Sequence, residues 1–584
     1  MCSDKVAELS NAMKPDDPAA WVTLMWDRYN SQRRGKIEEW KELRDYIFAT
    51  DTSSTTNSSL PWKNTTTLPK LCQIRDNLHA NYMSALFPND DWLQWQGYTM
   101  DDSLKEKAAT IEAYMSNKTR IGGFRNTISR MVYDYIDYGN VFSVPDFVTK
   151  YKTMPDGTRV PDFIGPKARR VSPLDIVFNP LADDFDQSFK IVRSVKSVGE
   201  LKKLAEDEPE NAFWAAAVAR RQEIGQLMGA YTIEEFDKAV GYQVDGFGNM
   251  YEYFQSDYVE ILEFYGNYHD TTTGEVMTDR VITIVDRNTM VRNEPMSQWY
   301  SGSPFDHVGW RDRPDNLWSM GPLDNLVGLQ YRLDHLENLK ADAMDLIIHP
   351  PLKIIGEVEE FVWGPGVAIN IDEGGSDVQE LATNMQNVFA ANSEIQQIED
   401  HMELYAGAPR EAMGIRSPGE KTAFEVDQLS TAAGKIFQQK ITHFETELLE
   451  PLLNKMLESA QRNLDVADTI RIADTDIGAV LFQEVTAMDI MANGKIRPVG
   501  ARHFSKQSQD LRNLSDVFNT AVGQMIAPHT SAVELTKFID DTLGLKGYNI
   551  FSPDAALKEQ EKTAVKTGMA EENVAMQLSP EQVV

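Results

Sequence analysis

The sequence predicts an α+β, helix-rich fold, and three observations carry that prediction. Apolar residues recur at helical spacing through much of the chain before residue 139 and again after 320. From Gly139 the texture changes to short runs of β-branched and aromatic residues separated by turn residues. A short strand-like stretch then sits between two helical patterns across 320–405. Helices followed by antiparallel strands make an α+β region rather than alternating βαβ units.

Taken in order, residues 18–50 read as helix, with Trp21, Leu24, Met25, Ile37, Trp40, Leu43 and Ile47 at helical spacing and Gly35 as a weak point. A polar loop, 51–59, follows. Helical patterns return at 69–86, 103–118 and 124–138. Strands are expected at Val141–Val148, Arg159–Ile164, Ala168–Phe178 and Ile191–Val195, with Pro155-Asp156-Gly157 as a turn. A helical insert covers 198–240, and strands resume at 250–265 and 276–287.

Residues 320–348 are helical again. Leu326, Leu329, Leu333, Leu336, Leu339, Ala343 and Leu346 share one arc, while Asp334, Asn338, Asp342 and Asp345 share the other. Arg332 and Lys340 fall inside the apolar arc, where they snorkel or pair with a neighbouring subunit. Pro350-Pro351 ends the helix, 352–376 is strand-like, and a helical pattern runs over 378–405. An irregular stretch, 407–420, precedes the longest helical pattern, 421–462. Pro451 interrupts it and predicts a kink or restart near Glu450. The remainder, 463–584, reads as helix-rich, with a polar end that frays.

The chain has 584 residues, room for about four domain-sized units. Its 57 Lys+Arg against 89 Asp+Glu give a net charge of −32, which argues against coating nucleic acid by phosphate neutralisation. Only Cys2 and Cys72 are present, so no disulfide framework or zinc knuckle is expected, and a reducing compartment is. No signal-like segment opens the chain and no apolar run approaches bilayer length. The sequons at Asn57, Asn64 and Asn117 are then chance matches.

Motifs for chemistry are sparse. Gly414-Ile-Arg-Ser-Pro-Gly419-Glu420-Lys421-Thr422 departs from a phosphate loop, because Glu420 separates the Gly from the Lys, Pro418 lacks an N–H, and no strand precedes it. Gly246-Phe247-Gly248-Asn249 reads as a hairpin turn. The nine His show no metal-ligand spacing, and Asp101-Asp102 and Asp183-Asp184 read as solvated turns. No Ser/His/Asp set can be nominated, so the expectation is no enzyme, no metal and no cofactor. The acidic stripe on 324–345 reads, on its own, as a solvated helix face.

Several segments in order resemble the portal proteins (head-to-tail connectors) of tailed bacteriophages, especially short-tailed ones. They are Leu60-Pro-Trp62 with Met83-Ser-Ala-Leu-Phe-Pro88 and Trp92; Tyr138-Gly-Asn-Val141 leading to Val144-Pro145; and Gly309-Trp-Arg311 through Met320-Gly321-Pro322. Further along come Ala406-Gly-Ala-Pro409, Ser417-Pro-Gly-Glu-Lys-Thr-Ala-Phe-Glu425, Glu447-Leu-Leu-Glu-Pro-Leu-Leu453 and Ala492-Asn-Gly-Lys-Ile-Arg-Pro498. The resemblance spans nearly the whole chain and is strongest over 410–453.

It implies a portal fold: an α+β wing over 1–318, stem helices at 319–348 and 378–406, a small α/β clip at 349–377, a tunnel loop at 407–420, a long kinked wing helix at 421–462 and a helical crown or barrel at 463–584. It also implies a dodecameric ring at one capsid vertex, through which double-stranded DNA is packaged and ejected without sequence preference. The implied partners are further copies of the chain, the terminase large subunit, which would hydrolyse the ATP, head–tail adaptor and tail proteins, and the major capsid and scaffolding proteins. No membrane is implied; the chain would be made in the host bacterial cytoplasm and end in the virion.

Within that frame Asp334, Asp342 and Asp345 would form an acidic channel face that repels the duplex at close range. Leu326, Leu333 and Leu336 would pack with Ile395, Ile398 and Met402 between the stem helices and against the next subunit. Glu357, Glu359, Glu360 and Trp363 in the clip are either a solvated hairpin around Trp363 or the rim that docks terminase and adaptor. Arg410, Glu411, Met413, Arg416 and Lys421 in the tunnel loop would be the direct DNA contacts, unless Arg410 and Arg416 pair with acids at a subunit interface. Two other readings stay open on the residues: another virion or assembly component, such as a tail or internal scaffold protein, and an acidic enzyme whose site forms only between subunits.

Overall fold

The computed structural model describes residues 17–48, 64, 66–87, 92–97, 103–207, 212–228, 250–269, 274–348, 350–355, 377–380, 385–406, 436–464, 468–473 and 480–498. They fall into two compact units, one drawn from 1–84 and 119–463, the other from 85–118 and 464–584. The fold is α+β and helix-rich, with several small sheets, as the patterning predicts.

The larger unit opens with α1 (Asp17–Gln32) and α2 (Arg34–Ile47), one helical pattern broken at Arg33, two residues before Gly35. Next is α3 (Lys70–Leu86), whose last residues lead into the smaller unit. There, β1 (Leu93–Gly97) precedes α4 (Ser103–Ile121), which leads back to α5 (Phe124–Asp137). The α5 stripe of Phe124, Ile128, Met131, Val132, Tyr135 and Ile136 is fully buried. The chain then enters β2 (Asn140–Thr153) and β3 (Arg159–Val171), joined by the expected turn, which Met154 N–H closes onto the Thr158 carbonyl at 2.9 Å.

The strands β4 (Ile176–Phe178) and β5 (Lys190–Ser197) begin a second sheet. The insert follows as α6 (Val198–Asp207), α7 (Ala212–Met228) and α8 (Met250–Gln255). The sequence predicts a strand over α8, because its aromatic alternation mimics one. Helical geometry instead lets Tyr253 bury its ring and donate its hydroxyl to Asp286 Oδ1 at 2.5 Å. Strands β6 (Tyr258–His269), β7 (Val276–Val285) and β8 (Thr289–Pro295) complete an antiparallel sheet in the order β4-β5-β6-β7-β8. Alternate β6 residues serve opposite faces. Leu262 and Phe264 pack with Ala19, Val22 and Trp26 of α1, whereas Val259 and Ile261 pack with Leu201 and Trp214 of the insert.

The three-stranded sheet has the order β3-β2-β9, with β9 at Asp306–Gly309, and is followed by the pair β10 (Arg311–Arg313) and β11 (Asn316–Met320). Here two of the quoted segments meet. Gly139 sits at φ +66°, and a Cβ on it would lie 2.2 Å from the Gly321 backbone nitrogen, so this approach admits only glycine. Beside it, Asn140 donates to the Tyr138 and Ser319 carbonyls, each at 2.9 Å, and accepts from the Ser319 N–H at 2.9 Å. An aromatic core of Trp40, Phe142, Phe178, Phe185, Phe305 and Trp318 fills the space behind this junction.

Two long helices follow, α9 (Val327–Ile348) and α10 (Met385–Tyr405), separated by the antiparallel pair β12 (Leu352–Ile355) and β13 (Asp377–Glu380). Helix resumes over 436–444, passes through a π turn at Glu445–Leu449, and continues as α11 (Glu450–Asn463). The Glu450 N–H reaches back to the Glu445 carbonyl, one residue further than an α-helical bond. This turn lies immediately before Pro451 and matches the expected restart near Glu450.

The smaller unit carries β14 (Asp468–Ala473) paired with β15 (Val480–Val485), and β16 (Gly494–Pro498) paired with β1. The described part of 463–498 after α11 is therefore strand and turn where the sequence predicts helix. Ile470, Ile472, Val480, Leu481 and Phe482 have β propensity, and their pattern is too short to separate the two periods. Residues 499–584 lie outside the described residues.

Candidate functional site

The helices α9 and α10 hold most of the described residues that sequence reasoning singles out. Leu326, Leu333, Leu336, Ile395, Ile398 and Met402 are all buried, and the two helices pack on one another within the chain. Arg332, unexplained by the helical wheel, reaches Glu394 of α10 at 3.0 Å, and Lys340 pairs with Glu337 one turn away. The Arg332 pair is half exposed, so it contributes at most about 1 kcal/mol and serves mainly to fix register.

The polar face of α9 is occupied by the chain itself. Residues 64 and 66–71 run along it, and their backbone N–H groups are read by side chains spaced four apart. Leu71 N–H donates to Gln330 Oε1 at 3.2 Å and Leu68 N–H to Asp334 Oδ1 at 2.9 Å. Thr66 N–H donates to Asn338 Oδ1 at 2.8 Å, and Asn64 N–H to Asp342 Oδ1 at 2.9 Å. The match is geometric. Four helical residues rise about 6 Å, and two extended residues advance about 6.6 Å. Residues 68, 66 and 64 thus fall in step with 334, 338 and 342, running in the opposite direction.

Further bonds close the ends of this ladder. Gln330 donates back to the Leu68 carbonyl at 2.6 Å and to Asp334 Oδ1 at 3.0 Å, while the Asn64 side chain donates to Asp342 and Asp345 at 2.8 and 3.0 Å. Lys70, the first residue of α3, forms a buried ion pair with Glu403 of α10 at 2.6 Å. The strap is therefore fastened to both long helices.

This placement corrects the exposed acidic face expected from the pattern. Gln330, Asp334, Asn338 and Asp342 are at most 3% exposed. Of the three acids, Asp345 alone faces solvent. A carboxylate enclosed by strap and helix meets backbone donors rather than a passing ligand. Burial raises the Asp334 carboxyl above the usual range, and the bonds from Gln330 and Leu68 N–H oppose that rise. The sequence carried a signal for the ladder: amide and acid side chains alternate at 330, 334, 338 and 342, an arrangement suited to accepting N–H bonds. The strap itself has no periodicity to reveal it.

The long helix docks through Lys440, which donates to the Trp310 carbonyl and sits 4.9 Å from that indole ring. Trp310 Nε1–H in turn donates to the Tyr82 hydroxyl at 3.1 Å. The Gly309-Trp-Arg311 segment is thus the seat for this helix. After the π turn, Lys455 donates to Asp306 at 2.7 Å and to the Phe305 carbonyl at 3.0 Å.

Glu357, Glu359, Glu360 and Trp363, and Arg410, Glu411, Met413, Arg416 and Lys421, lie outside the described residues. Among the described residues no cluster of His, Cys, Asp and Glu could hold a metal ion, and no helix is long and apolar enough to cross a membrane. No family model matches the chain, and no curated protein matches it.

Proposed function

We propose that this chain is a portal subunit of a tailed bacteriophage, assembling into a ring that conducts double-stranded DNA at one capsid vertex. The observation that carries the reading is the pair α9–α10 with a β pair between them, built on buried leucine, isoleucine and methionine and followed by a long helix that restarts at Pro451. That order is the stem, clip, stem and wing-helix order which the sequence resemblance implies. In this reading the buried ladder between α9 and the strap stiffens each stem so that neighbouring stems can pack. The net charge of −32 supports a conduit that repels phosphate rather than a protein that grips it. Terminase and adaptor would dock at the clip, with Trp363 as their anchor. Negative-stain microscopy of the purified protein tests the proposal: rings with a central hole are expected, and irregular or monomeric particles would remove it.

A further inference from the structure

A serine and a buried lysine, 113 residues apart in sequence, meet beside the aromatic core of the larger unit. Lys190 opens β5 and is 2% exposed. Its Nζ lies 4.8 Å from the centre of the Phe185 ring, donates to the Asp186 carbonyl at 2.8 Å and reaches Ser303 Oγ at 3.2 Å. The other buried lysines among the described residues each hold a carboxylate, Lys70 that of Glu403 and Lys118 that of Asp468. Lys190 forms no ion pair with a described residue; its partners are a carbonyl, a hydroxyl and a ring.

Burial without a counter-ion favours the neutral amine. It lowers the Lys190 pKa to about 8; Lys455 adds to the fall, and Asp186 and Asp184 oppose it. A neutral amine also suits these neighbours, giving one N–H to the Asp186 carbonyl and offering its lone pair to the Ser303 hydroxyl. The serine is placed differently. Ser303 is half-buried, in a loop held on both sides by one face of α11. Ser301 donates its N–H and its hydroxyl to Glu458 at 3.2 and 2.8 Å. Lys455, a turn earlier on that helix, donates to the Phe305 carbonyl and to Asp306. Between these anchors a Cβ added to Gly302 would meet nothing within 4 Å, so the loop is open to approach. The base is shut away from water while the nucleophile sits in an open, fixed loop.

We propose that Ser303 and Lys190 form a nucleophile–base pair that takes an acyl group from small aryl esters. A serine needs an adjacent base, and a lysine kept neutral by an apolar site can be one. Ser303 Oγ bonds to the acyl carbon as its proton passes to Lys190 Nζ. The bond from that carbon to the aryl oxygen then breaks, and the phenoxide leaves with the electron pair. The ammonium gives up its proton to the phenoxide, so ester and serine become acyl-serine and phenol. Water follows the same route to release the acid and restore the serine. An aryl ester suits a pair with a single base, because its leaving oxygen is weakly basic. The proposal stands apart from the portal reading, and either can fail alone.

Two probes on the full chain test it: a fluorophosphonate, which an activated serine captures irreversibly, and 4-nitrophenyl acetate. Peptide mapping should find the fluorophosphonate on Ser303, and nitrophenolate release should fall at least about a hundredfold in Ser303→Ala. Lys190→Arg keeps the charge but stays protonated, and it should slow both reactions by a similar factor. The labelling rate of the unaltered chain should rise with pH, reach half its maximum near pH 8 and level off. That profile decides the matter if Lys190→Arg does not fold. No label on Ser303 at millimolar probe would overturn the proposal. Equal rates in a folded Lys190→Arg protein, or a rate that climbs with hydroxide and never levels off, would do the same.

Discussion

Asp334 shows how one side chain can serve a different end from the one its pattern suggests. Its Oδ1 accepts two bonds, while Oδ2 is buried without a protein partner. Asp334→Asn keeps an acceptor for the Leu68 N–H, whereas Asp334→Ala strands that donor. Urea unfolding should therefore show alanine costing about 1–3 kcal/mol, and asparagine distinctly less. Equal costs would mean that the ladder bond carries no weight. His307 makes a second prediction. Its partly buried ring stacks on Phe142 at 4.7 Å, and burial depresses its pKa to about 4. The unfolded imidazole takes a proton at higher pH than the folded one, so stability falls as pH drops through this window. From pH 7 to pH 5 the loss is at most about 2 kcal/mol, and His307→Phe should flatten it in thermal melts recorded across that range. Other residues were not legible in advance. The β7–β8 turn places Asp286 and Arg287 at φ 51° and 54° without a glycine. Buried bonds to Arg221, Tyr253 and Glu260 hold that strained geometry, and all three lie far from the turn in sequence.

Long elements were legible because they repeat their period several times. The stripe on α5 selects the residues that are buried, and Pro451 announces the irregularity at Glu445–Leu449; on α9 the apolar arc is right for Leu333 and Leu336 but not for exposed Leu339, and the polar arc is buried under the strap. Short elements were not: α8, β1 and the strands of 468–498 each offer too few residues to distinguish one period from the other. The strap escaped entirely, since an extended segment held by side chains of a distant helix leaves no local pattern. For α9 the two kinds of contact differ in size. Leu333 is fully buried, so Leu333→Asp places an uncompensated charge in the core of the helix pair and should cost on the order of 3–5 kcal/mol. Arg332→Ala removes only a half-exposed ion pair and should cost under about 1 kcal/mol. Chemical denaturation that ranked them the other way would place the stability of α9 on its charges rather than on its buried face.

At the scale of the molecule, the described residues account for why several quoted segments are as they are. Gly139 and Gly321 share one backbone approach, Asn140 ties β2 to β11 and, through the His307 ring, to β9, and Trp310 seats the long helix. If copies of a chain carrying −32 assemble around an axis, their repulsion must be overcome by packed apolar surface. Exposed Tyr331, Met344, Ile348, Phe389 and Tyr405 on α9 and α10 are available for that. Raising the salt concentration should accordingly favour assembly by screening the repulsion. Native mass spectrometry of the purified full-length protein is the most direct test. The account predicts a closed assembly at one integer multiple of the chain mass, twelve by the family resemblance, that persists on dilution. A single-chain mass at every concentration and salt would contradict it.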